Sequence, residues 1–407
     1  MKKKSIIVIG VILGLLLLAA GVAGFFYLKH HRQRQLPLPV FKYKIDYYDT
    51  SDKRYILLSP YRINRWWHGR LVFMDFKGNI IYQRYVNGSA YCFRQWTING
   101  KRRYTWLVND QQMFHMRNIK LSAGNFVLAD SALNPVKLLT YIPNDSIKTY
   151  GKQGLDPHDL VLLSEDHYIS MALYLRVATN IPDSLHPAHG KKICVPLIQE
   201  VNNGKLIWQW DAASFPELYG TSVEHNNFSD SAHISDYLHL NSFVLDPADS
   251  NLVCSFRNSN QVLKISRKTG QILWRLGGKT SDFPLTAEQH FLKQHDAQVL
   301  PDGSFMILDN GDSILRPHSR ILEFKLDEEH RKVTGFKSFD IPAPFMQNMG
   351  NVTKEGDYYI IGGGTGGFVL KINAKTGEKK FELFSNLASY RAYIVNDISG
   401  VEHATGN

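Results

Sequence analysis

An all-β chain built as a six-bladed β-propeller behind an N-terminal transmembrane signal anchor is the fold the sequence predicts, on three observations. After Arg34 the chain is a series of short apolar alternations broken by turn residues, with no sustained helical period. A phrase of strand, turn and strand recurs six times along it. Between those hairpins a histidine-headed phrase recurs: His158-Asp159-Leu160 to Leu163-Ser164-Glu165, His239-Leu240-Asn241 to Leu245-Asp246, and His295-Asp296-Ala297 to Leu300-Pro301-Asp302. Six four-stranded sheets around an axis leave only short, protected edges, which is how a long all-β chain avoids open sheet borders.

The elements follow in chain order. Residues 1–35 hold an apolar run from Ser5 to Leu28, about long enough to cross a ~30 Å hydrocarbon core as a helix. Small residues at Gly21-Val22-Ala23 would suit signal cleavage, but Gly24-Phe25-Phe26-Tyr27-Leu28 continues the apolar stretch, which favours an uncleaved single-pass anchor. Its N-terminal position and the large polar chain behind it place the rest of the protein outside the cytoplasm, in a periplasmic or extracellular setting. Lys2, Lys3, Lys4, Lys29, Arg32 and Arg34 flank this run and supply six of the net +10 charges, leaving +4 for the remainder, which argues against a nucleic-acid footprint. Leu36-Pro37-Leu38-Pro39 reads as a stiff spacer, and residues 36–407 form the propeller domain.

The six hairpins are centred in Phe73 to Tyr82, Asn134 to Leu139, Gln199 to Trp208, Lys264 to Trp274, Glu323 to Phe336, and Lys371 to Glu378. Their spacing of about 45 to 70 residues exceeds that of compact propellers, so inserts are expected at 181–192, 213–237 and 280–294, where prolines interrupt the pattern. Cys92, Cys194 and Cys254 have no metal-ligand spacing and read as small buried hydrophobes within strands.

Convergence makes the histidines a candidate site. The first strand of each propeller sheet lines the axis, so His158, His239, His295 and, at the matching position of the last copy, Asn348 should face one another. Two-residue alternation puts Asn241 on the face of His239 and turns Asp296 away from that of His295. The returning second strand brings Arg257 opposite His239 and Asn310 beside His295. Arg257 has a rival role as an inter-blade ion-pair partner, and Asn310 as turn chemistry before Gly311. Two glycine-rich stretches resemble phosphate cradles. Gly278-Lys279-Thr280 lacks the preceding glycine and following helix. Gly362-Gly363-Gly364-Thr365-Gly366-Gly367 lies between strands and reads as close packing at the axis, with Thr365 in reach of a ligand.

Across roughly 150–330 the chain resembles the bacterial arylsulfate sulfotransferase family. The similar stretches are Asp236 to Ser242, Phe256-Arg257, Ile272 to Gly278, Ser281-Asp282-Phe283, Gln294 to Ala297, and Leu308 to Gly311. The resemblance implies a propeller that moves a sulfuryl group from an aryl sulfate donor to a phenolic acceptor without a nucleotide donor, a metal or an organic cofactor. It makes His295 the residue that carries the sulfuryl group, with His239, Asn241 and Arg257 as the clamp and His158 as the proton handler. Asn310, Asn348 and Thr365 complete the substrate-binding set. The chemistry suits these residues: neutral imidazole is a competent nucleophile near neutral pH, and Arg and Asn donors stabilise an in-line transfer. Two rival readings stand beside it. A metal-dependent lyase or hydrolase could use the three histidines as ligands, and a non-catalytic binding scaffold would survive loss of His295.

Overall fold

The computed structural model describes residues 39–401 apart from 63–67, 89, 109–113, 117–118, 122, 146 and 148–153; the expected anchor lies outside the described residues. Among the described residues no helix is long and apolar enough to cross a membrane. From Phe41 onward the chain forms a six-bladed β-propeller.

Blade 1 comprises Tyr91–Ile98, Lys101–Val108, Asn125–Ala129 and Pro135–Leu139. Blade 2 comprises Gly154–Leu162, His167–Val177, Lys192–Asn202 and Lys205–Asp211. Leu240–Leu245, Leu252–Phe256, Gln261–Ile265 and Ile272–Gly277 make blade 3, and His295–Val299, Phe305–Asp309, Arg320–Asp327 and Lys332–Asp340 make blade 4. Blade 5 runs from Asn351–Glu355 through Tyr358–Gly362 and Phe368–Asn373 to Lys379–Ser385, and Tyr43–Tyr47 adds a fifth strand at its outer edge. In blade 6 the inner strand, Ala388–Val395, comes from the carboxyl end and pairs with Tyr55–Tyr61, followed by His68–Asp75 and Ile80–Asn87. The six inner strands touch in cyclic order, blade 6 returning to blade 1.

All six expected hairpins join the third and fourth strands of a blade, and in each the turn residues lie where the apolar alternation breaks. The inserts hold short 3-10 turns, Asp183–Leu185, Pro216–Thr221 and Ala287–Gln289 among them. The three cysteines are free and buried. Between blades 3 and 4, Trp274 meets Phe283 and Phe305 edge-on at 5.7 and 5.3 Å, so the seam between sheets is the core.

Polar staples also cross the seams near the axis. Asp159 accepts a hydrogen bond from the Phe243 N–H at 3.3 Å, Ser242 from Ala297 at 3.0 Å, Asp296 from Val352 at 2.9 Å and Asn351 from Ala392 at 2.8 Å. Each joins one inner strand to the next, satisfying backbone donors that no ladder partner reaches. The aspartate of the His-Asp phrase therefore has a structural task, and this frees the histidine beside it for another.

Candidate active site

The inner strands do not run as ideal ladders. Their pairing shifts between Leu155 and Leu160, between Leu240 and Ser242, and between His295 and Gln298. His239 and Asp296 take left-handed φ values of 54° and 52° at these irregularities. Bulges of this kind re-aim side chains that strict alternation would send elsewhere.

Three histidines converge as a result. The His158 ring lies 5.0 Å from that of His239 and 6.0 Å from that of His295, centroid to centroid. His158 Nδ1 donates to Asp156 Oδ1 at 2.5 Å, and His239 Nδ1 to Asp236 Oδ2 at 2.6 Å. Both carboxylates are buried. Because a carboxylate only accepts, each histidine keeps its proton on Nδ1 and has Nε2 left for other work. Burial pulls the His239 pKa down, but the Asp236 carboxylate outweighs it and the net shift is upward. Asp236 is in turn held low by that histidine, against its own burial.

His295 is the opposite case. Only 3% exposed, it has no carboxylate partner; Nε2 shares a hydrogen bond with the Tyr390 hydroxyl at 3.2 Å, and Nδ1 is buried with no hydrogen-bond partner among the described residues. Burial, with help from the charges of Arg391, His158 and His239, pushes its pKa well below the ordinary histidine range. Burial thus favours the neutral form of His295, while Asp236 favours the charged form of His239.

Arg257 stands where the antiparallel return predicts, its backbone N–H donating to the His239 carbonyl at 3.0 Å. Its side chain reaches Glu224 at 2.5 Å, Asn258 at 2.7 Å and Asn348 Oδ1 at 3.4 Å. Asn348 is therefore part of the cluster, and Thr365 fixes it: the Thr365 hydroxyl donates to the Asn348 carbonyl at 3.0 Å and accepts from its N–H at 3.2 Å. A Cβ at Gly364 would lie 2.6 Å from the Asn348 carbonyl oxygen, so the glycine run is close packing that lets this loop reach the axis.

Asn241 and Asn310 are both held by backbone carbonyls. Asn241, two residues past the left-handed turn at His239, is fully buried against the next blade and donates to the Gln294 carbonyl at 2.8 Å. Asn310 donates to the carbonyls of Met346 and Met349 at 2.9 and 3.0 Å, bracing the loop that carries Asn348. In both side chains Oδ1 is buried without a partner among the described residues.

Sequence reasoning missed Tyr390 and Arg391. Tyr390 packs 5.8 Å from both His158 and His295, and Arg391 is buried against Asp159 at 3.0 Å and Asp296 at 3.6 Å. Their strand carries no histidine phrase, but six outer hairpins and fewer inner-strand phrases already required an inner strand from elsewhere in the chain. Asp156 and Asp236 were also missed, because they precede their histidines by two and three residues and so do not repeat. Among the described residues no group of three or more His, Cys, Asp or Glu is arranged to hold a metal ion.

Residues 157–393 match the arylsulfotransferase (ASST) family model, which runs beyond the stretch to about 330 where the motifs are densest and takes in Tyr390 and Arg391. No curated protein matches the chain. Among solved structures, the chain is similar to the periplasmic gluconolactonase of Pseudomonas aeruginosa, with 11% identity, coverage of 84% of this chain and 99% of that one, and a TM-score of 0.44. It is also similar to a protein of unknown function from Bacteroides caccae, with 9% identity, coverage of 85% and 100%, and a TM-score of 0.43.

Proposed function

The chain belongs to the arylsulfotransferase family, and from that premise we propose that it moves a sulfuryl group from an aryl sulfate to a phenolic acceptor through a sulfohistidine at His295. One observation carries the choice of residue: of the three converging histidines, His295 is the one without a carboxylate on its ring, and burial pushes its pKa well down.

In the first half-reaction a lone pair of the His295 ring attacks sulfur and the bond from sulfur to the aryl oxygen breaks. The departing oxygen takes the electron pair and receives a proton from Nε2 of His158, which enters this step protonated on both nitrogens and keeps its Nδ1 proton on Asp156. In the second, the incoming phenol returns a proton to His158 and its oxygen displaces His295 from sulfur, so atoms, charge and protons balance over the cycle. His239, whose charged form Asp236 favours, and the donors of Arg257 stabilise the sulfuryl oxygens through both transfers, in the manner of an oxyanion clamp. Tyr390, whose hydroxyl burial keeps protonated, fixes the orientation of the His295 ring.

The test is turnover of a chromogenic aryl sulfate with and without added phenol. Wild type should release the chromophore with ping-pong kinetics, and His295→Ala should lose at least about a thousandfold in kcat. Mass spectrometry of protein quenched without acceptor should find the sulfuryl group on the peptide containing His295. Release that persists in His295→Ala would remove this residue from the reaction.

Residues 1–35 complete the reading. The apolar run from Ser5 to Leu28 with its basic flanks supports a single-pass membrane anchor, with the propeller outside the cytoplasm.

A further inference from the structure

Each basic side chain of the clamp is paired with a carboxylate. Arg257 Nη1 is engaged by Glu224 Oε2 at 2.5 Å, and Lys293 Nζ pairs with Glu224 Oε1 and with Asp312 Oδ2, the latter at 2.7 Å. Two cations thus face two carboxylates, and His239 faces Asp236 in the same way. A site meant for a sulfate ester has each of these charges already answered.

The carboxylates differ in how firmly they are held. Asp236 is buried, and Asp312 accepts from the backbone N–H groups of Ile314 and Leu315 at 2.8 and 2.9 Å. Glu224 has no such backbone anchor among the described residues. Its side chain is 25% exposed, it lies in an irregular stretch of the insert between blades 2 and 3, and it precedes His225, whose φ is 52°. The cations it bridges keep it ionised against its burial. Arg257 has two further acceptors besides Glu224, Asn258 Oδ1 at 2.7 Å and Asn348 Oδ1 at 3.4 Å. Among the described residues, its Nε–H has no acceptor.

We propose that Glu224 is the exchangeable counter-charge of the sulfuryl site. Its carboxylate holds Arg257 and Lys293 between turnovers and yields part of that charge when a sulfate group docks. Binding of the anion is thereby weakened enough for a sulfated product to leave. The inference rests on reading Arg257 as part of the sulfuryl clamp. It answers a need particular to this chemistry, because a transferase of this kind must bind one aryl sulfate monoanion tightly enough to react and then release another. Two unopposed cations would retain both.

Calorimetric titration of the full-length protein with inorganic sulfate tests this without requiring turnover. Glu224→Gln, which keeps the shape and removes the charge, should tighten sulfate binding roughly tenfold, whereas Lys293→Met, which leaves Glu224 wholly on Arg257, should weaken it. In the steady state E224Q should lower KM for the chromogenic aryl sulfate and also lower kcat, as product release slows. A purely structural role for Glu224 does not lower KM. Sulfate binding that is unchanged or weaker in E224Q overturns the proposal. Should E224Q not fold, K293M decides alone, and unchanged or tighter binding there overturns it. Absence of aryl sulfate turnover in wild type counts against the functional reading, and the sulfate titrations still report on Glu224.

Discussion

His239 and His295 are the same residue type in the same repeat, with 23% of the His239 side chain exposed and His295 only 3%, yet they are driven in opposite directions. Beside that difference in burial stands one carboxylate. Asp236 raises His239, so its charged form persists above the ordinary histidine range, while burial and neighbouring positive charge dominate at His295. Activity that needs charged His239 should therefore fall as pH rises through that elevated pKa. Asp236→Asn removes the raising influence and lets burial act, so the alkaline limb of kcat/KM for the aryl sulfate should move to lower pH. An alkaline limb that stays in place would assign it to another group. At this scale the sequence revealed the three histidines, since a repeat register is visible in one dimension. It could not reveal Asp156 and Asp236, whose different offsets reach the rings only because the chain is bulged there.

The inner strand with its bulge is the element that turns a repeat into a site. Within the phrase His-Asp, the histidine faces the axis and the aspartate crosses the seam: Asp159 accepts from the Phe243 N–H at 3.3 Å and also pairs with buried Arg391 at 3.0 Å. Removing it leaves the guanidinium with only Asp296 at 3.6 Å and the Tyr393 hydroxyl at 2.9 Å, and takes the acceptor from a backbone donor. Asp159→Ala should cost about 3 kcal/mol, measured by chemical denaturation, because it breaks a buried pair and leaves its charge only partly compensated. A loss within about 0.5 kcal/mol, the range of surface substitutions, would show that Arg391 finds another partner. Strand alternation turned Asp296 away from the site correctly, since it accepts from Val352 N–H in the next blade at 2.9 Å. The third-to-fourth strand hairpins were legible throughout, as their turns are local and their strands alternate with the period of a half-buried sheet.

For the whole molecule, closure joins the two ends of the domain: Ala388–Val395 pairs with Tyr55–Tyr61, so blade 6 takes its inner strand from one end and the other three from the other. That seam brings Tyr390 and Arg391 to the axis. The segment ahead of the domain bears on where the protein works. Full-length protein should stay with the membrane fraction through an alkaline carbonate wash, and deletion of 1–35 should release it with aryl sulfate turnover unchanged. A full chain found in the soluble fraction would rule out the anchor. By itself the sequence determined the number of blades, the six hairpins and the three histidines, since each is written in local alternation, turn chemistry and a repeated register. Only the tertiary structure decided which charges meet at the axis: the aspartates on two histidines, Glu224 across Arg257 and Lys293, and the Tyr390 and Arg391 pair from the closing strand. Those contacts join residues from different blades and inserts, and their energies depend on distance and burial, which no linear spacing encodes.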